Sequence, residues 1–86
     1  MIQLLWEDIY EGIQRNSKNC PIAKAGRRHF GMPCYVGMTT MSVCPDEQTV
    51  ILYKISRNAS KFIVDFDSKR EEAVPIIIEY ERVIPS

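Results

Sequence analysis

The sequence predicts an α+β fold in which two helices lie on one four-stranded antiparallel sheet, with elements in the order β-α-β-β-α-β. Three observations carry that expectation. Ala59, Phe62, Ile63 and Phe66 fall at the i, i+3, i+4 and i+7 spacing of an amphipathic helix. Pro21 opens a segment of small residues, Ala23, Ala25 and Gly26, which Gly31 and Pro33 close. Residues 34–44 and 49–55 are runs of β-branched and aromatic residues on either side of Pro45-Asp46-Glu47-Gln48, as in a hairpin.

Residues 1–6, MIQLLW, are short and apolar enough for an opening strand, and the acidic segment 7–12 that follows suits one helical turn closed by Gly12. Residues 15–19 are polar connecting loop. The first helix is expected over residues 21–29, because proline's fixed φ and missing N–H cost nothing at the first helical position, with Cys20 or Asn19 as its cap. Gly26 weakens this helix by about 1 kcal/mol relative to alanine, and in return lets it lie close on a sheet. After the hairpin, Ser56 or Asn58 caps the second helix, which ends in the charges of residues 68–72. Residues 74–83 close the chain as a strand in which Ile78, Tyr80 and Arg82 oppose Ile77, Glu79 and Glu81. The order is that of the ferredoxin-like split βαβ sandwich, a fold that hosts many unrelated functions, so function must be argued from a site.

At 86 residues, one domain spanning residues 1–86 is expected, and its small core makes oligomerisation the favoured source of added stability. Eleven basic residues balance eleven acidic ones, which argues against a non-specific nucleic-acid binder. The charge is uneven along the chain. Residues 15–61 carry a net +6, and each end carries −3. No apolar run approaches the roughly 20 residues of a membrane span, no signal-peptide pattern opens the chain, and three cysteines cannot all pair within it; the cytosol is the expected compartment.

Four groupings could carry chemistry. Cys20, His29, Cys34 and Cys44 have the ligand types of a zinc site, but no C-x-x-C pair presents two thiolates from one turn, and no metal or other cofactor is expected. Cys20 at a helix N-terminus, with its pKa lowered by the helix dipole and His29 as base, would be a nucleophile. No orienting group completes that pair, and a non-enzymatic protein is the expectation. The third grouping is an anion site from Lys24, Arg27, Arg28 and His29 with neighbouring Tyr35, since arginine's planar fork matches phosphate bidentately. Arg27 lies about 9 Å up the helix from Pro21, so a ligand would need length, or a second chain, to use the helix start as well. The fourth is a partner surface of Tyr35, Met38 and Met41, available for pairing if residues 39–41 form an edge strand. Phosphate loops, EF-hand loops, dinucleotide fingerprints and RNA-binding sheet signatures are absent.

Asp8-Ile9 and Gly12, then Cys20-Pro21-Ile22-Ala23-Lys24-Ala25, Phe62-Ile63-x-x-Phe66-Asp67 and Pro75 form the pattern D-I-x-x-G, C-P-[IV]-A-x-A, F-I-x-x-F-D and a closing strand. In this the chain resembles a group of small phage- and prophage-type proteins. It departs from them at Gly26-Arg27-Arg28-His29, where their pattern continues with alanine and leucine. The resemblance brings no catalytic residues and implies an accessory or counter-defence role, acted out in the host cytosol. The expected function is therefore a homo-oligomeric binding protein that sequesters an anionic, nucleotide-like small molecule through Lys24, Arg27, Arg28, His29 and Tyr35. The alternative is an inhibitor that covers a host enzyme with its sheet edge or acidic surface.

Overall fold

The computed structural model describes residues 1–83. Its elements are β1 (Ile2–Gln3), α1 (Trp6–Glu11), α2 (Pro21–Phe30), β2 (Cys34–Val36), β3 (Thr40–Asp46), β4 (Thr49–Ile55), α3 (Arg57–Ser68), a 3-10 turn (Arg70–Glu72), β5 (Ile77–Ile78) and β6 (Tyr80–Arg82). They build a small α+β protein with two antiparallel sheets, one of four strands in the order β2-β3-β4-β6 and one of two strands, β1-β5.

The three helices follow from local chemistry. α1 starts at Trp6, which was expected to end the opening strand, because the Asp8 carboxylate accepts the Leu5 N–H at 2.8 Å and turns the chain into a helix there. α2 matches its expected range to within a residue. Cys20 caps it, its Sγ accepting the Ala23 N–H at 3.5 Å, and Gly31 ends it at φ 69°, donating to the Arg27 carbonyl at 2.8 Å. α3 buries Ala59, Phe62 and Phe66, the inner part of the expected stripe.

The strands depart further from the expected single sheet. Residues 34–44 are not one strand: the chain reverses at 37–39, where the Gly37 N–H reaches the Thr40 carbonyl at 2.8 Å, and the hairpin becomes the meander β2-β3-β4. The turn between β3 and β4 is Glu47-Gln48, while Pro45 and Asp46 stay in β3. The register shifts between Val43 and Asp46, the place where Pro45 has no N–H to give the ladder. The closing segment is divided as well. Ile77–Ile78 pairs with β1 and Tyr80–Arg82 with β4, and between them Glu79 bonds to Ser56 instead, its N–H to Ser56 Oγ at 3.1 Å and its carbonyl to the Ser56 N–H at 2.9 Å. Thus β1 takes no part in the four-stranded sheet, whereas a split βαβ sandwich would require it to join.

Cys34, Val36, Met41, Val43 and Ile55 face inward from the sheet and join Ile22, Ala23 and Ala25 of α2, Phe62 and Phe66 of α3, and Ile2, Leu4, Ile9 and Ile78 in one core. Gly26 is what brings α2 down onto this sheet. A methyl group there would stand 3.0 Å from Met41 Sδ and 3.1 Å from Cys34 Sγ. Among the described residues the other sheet face is uncovered. Tyr35, Ser42, Leu52 and Val83 form a cross-strand row on it, and Tyr35, Leu52 and Val83 are exposed. Met41 lies on interior strand β3, not at an edge, and the edge strand β2 is partly closed by the Ser17 carbonyl, which accepts the Val36 N–H at 2.8 Å.

Candidate functional site

Lys24, Arg27, Arg28 and His29 lie on α2 as expected, but their side chains do not converge. Arg28 forms a bidentate pair with Asp8, Nη1 to Oδ1 at 2.6 Å and Nη2 to Oδ2 at 2.8 Å, and Nη2 also donates to the Gln3 carbonyl at 2.9 Å. Asp8 is only 4% exposed, so this guanidinium neutralises an otherwise buried charge and ties α1 to α2. The hydrogen bonds to Asp8 come first among the influences that hold Arg28 more firmly in its charged form. Arg27 donates to the Lys18 carbonyl and stitches the 15–19 loop to α2. His29 Nε2 sits 3.0 Å from the Tyr80 hydroxyl, within an aromatic group that includes Phe30 and Tyr53. Tyr35 is on the uncovered sheet face while α2 packs on the other, because strand alternation sends Cys34 and Val36 inward and Tyr35 out. Lys24, half-buried, is the one residue of the expected set with no side-chain hydrogen bond or ion pair among the described residues, apart from exposed Tyr35.

The cysteine chemistry changes too. Burial raises the Cys20 thiol above its ordinary value, outweighing the N–H groups of Ala23 and Ile22 that favour the thiolate, with Asp67 adding to the rise. The lowering that the helix dipole was expected to give this thiol is therefore reversed, and Cys20 acts as the cap of α2. Cys20 and His29 lie at opposite ends of α2, about 13 Å apart along its axis. Cys34 is pushed up to about 11, first by burial. All three cysteines are free, and among the described residues no three His, Cys, Asp or Glu side chains gather in one place.

A cleft opens instead at the other end of α2. Its volume is about 250 Å³, and it lies between the 15–19 loop, the first turn of α2, the β2-β3 turn and α3. Ile22, Val36, Phe62, Ile63 and Phe66 make its floor, Met38 also lines it, and Arg15, Asn16, Ser17, Cys20 and Asp67 form a polar rim. The rim is held by long-range bonds: the Arg15 N–H to Asp67 Oδ1 at 2.9 Å, and Gln14 Nε2 to the Phe66 carbonyl at 2.7 Å. Arg15 has φ 55°, a left-handed conformation that points the loop back toward α3. Its guanidinium makes no hydrogen bond among the described residues. Sequence reasoning read 15–19 as connecting loop and Phe62 and Ile63 as core; nothing local marks them as neighbours, since 52 positions separate Arg15 from Asp67.

No family model, curated protein or solved structure matches the chain.

Proposed function

We propose that this is a non-enzymatic binding protein for an anionic, nucleotide-like small molecule, and that the ligand enters the cleft at the start of α2 rather than the basic segment at its end. The observation that carries the reading is an apolar, partly aromatic floor beside one uncommitted guanidinium, Arg15. Such a floor accepts the flat face of a ring, Met38 adapts to its shape, and Arg15 meets a phosphate or carboxylate. At about 250 Å³ the cleft is a little below the ~300 Å³ at which small-molecule sites begin, so one ring system enters and the rest of the ligand lies along the rim. A second copy packed on the uncovered sheet face would give the homo-oligomer this reading includes. Its setting as a phage-type accessory or counter-defence protein that sequesters the ligand rests on the sequence resemblance alone.

Calorimetric titration with nucleoside 5′-monophosphates and with the matching nucleosides tests the proposal. Binding is expected for the phosphorylated series only. Arg15→Gly, which suits the positive φ and leaves stability unchanged or raised, is expected to abolish it. Absence of binding by the unmodified protein, or full binding by both Arg15→Gly and the cleft-filling Met38→Trp, would overturn the assignment.

A further inference from the structure

Two polar groups on the rim of the cleft have hydrogen-bonding capacity that the protein itself does not use. Asp67, in the last turn of α3, accepts the Arg15 N–H on Oδ1 at 2.9 Å, and its Oδ2 has no hydrogen bond or ion pair among the described residues. Arg15 meets this carboxylate through its backbone, and its guanidinium stands outside ion-pair distance. Asn16 is the second group. Its Oδ1 accepts from the backbone N–H groups of Lys18 at 3.0 Å and Asn19 at 2.9 Å. Only the oxygen of an amide accepts, so these two bonds settle how the side chain is turned and leave its NH2 as the free end. That NH2 makes no hydrogen bond among the described residues. Both side chains are partly buried, and both residues line the cleft.

The unused set is specific in kind. A carboxylate only accepts, and its two oxygens match two N–H donors side by side, Oδ1 keeping a second lone pair beside the Arg15 N–H. The free end of Asn16 only donates. A flat ring that satisfies both carries a carbonyl, a ring N–H and an amino group in that order along one edge. Guanine has this edge in its O6, N1–H and 2-amino group, whereas adenine, cytosine and uracil each place a single donor group there. Charge fixes the direction of the ligand, since Asp67 repels a phosphate set beside it and Arg15 attracts one.

We propose that the ligand of the cleft is a guanine nucleotide, recognised by its base edge: Asp67 accepts from N1–H and the 2-amino group, and Asn16 Nδ2 donates to O6. The base lies on the floor of Phe62, Ile63 and Phe66, and the phosphate meets the Arg15 guanidinium. This inference rests on the cleft being the site of an anionic, nucleotide-like ligand and narrows the class of that ligand.

Calorimetric titration of the unmodified protein with the 5′-monophosphates of guanosine, inosine, adenosine and uridine tests it. Guanosine monophosphate is expected to bind about tenfold tighter than inosine monophosphate, which lacks only the 2-amino group and so loses one bond to a charged acceptor. Adenosine and uridine monophosphates are expected to bind no better than inosine monophosphate. Asp67→Asn keeps an oxygen for the Arg15 N–H and turns the other acceptor into a donor. It is expected to bring guanosine and inosine monophosphates to equal affinity, whereas a merely structural role for Asp67 would weaken all four alike. Equal affinity of the unmodified protein for the four nucleotides would overturn the guanine assignment and leave the cleft standing as an anion site; binding of none would overturn both. A guanosine preference that survives in Asp67→Asn would overturn the recognition edge.

Discussion

Cys34 is fully enclosed under α2, its Sγ directed at the Met32 carbonyl at 3.4 Å, and burial moves its thiol from 9.0 to about 11. Its folded form thus keeps a proton that the unfolded chain gives up. As pH rises through that interval the unfolded state binds fewer protons than the native one, so stability falls. Urea melts at about pH 8 and about pH 10 are expected to show a larger alkaline loss for the unmodified protein than for Cys34→Ala; equal losses would show that this thiol is not the titrating group. Arg28 teaches a related lesson at the expected site. Its fork does hold an anion bidentately, as the adjacent arginines led one to expect, but the anion is the protein's own Asp8. A basic residue's partner is decided by what the fold places within reach.

The helices follow their local signals closely. The proline start and glycine stop of α2, the stripe of α3 and the acidic first turn of α1 all stand where the sequence puts them, because caps and i, i+4 neighbours act within one turn. The α1–α2 connection depends on a close approach that no local pattern reveals. Gly12 lies against Pro21, and a methyl group on it would fall 2.5 Å from Pro21 Cγ and 2.8 Å from the Asp8 carbonyl oxygen. Gly12→Ala is expected to cost about 1–3 kcal/mol, read as a lowered urea midpoint with unchanged slope. Strands were less legible: within residues 34–44 the one local sign of a break is Gly37, and the pairing of Cys34 with Val43 shows that the run folds back on itself there.

Taken as one body, the described residues cover one face of the four-stranded sheet with α2 and leave the other bare, with Tyr35, Val50, Leu52 and Val83 exposed and Lys54 opposite Glu81. A two-fold partner on this face would bury the apolar row. Sedimentation is expected to give a dimer for the unmodified protein and a monomer for Leu52→Lys, which places a charge in the middle of the row; an unmodified monomer would remove oligomerisation from the functional reading. No helix of the described residues is long and apolar enough to cross a membrane.

By itself the sequence determined the α+β class, the start and end of α2, the buried stripe of α3 and the uneven distribution of charge, because each depends on residues within a few positions of one another. Tertiary structure alone decided that the closing segment serves two sheets, that Arg28 is spent on Asp8, and that Arg15 meets Asp67 across the cleft. These are encounters between distant segments. Their partners are selected by the packing of one shared core rather than by any spacing written along the chain.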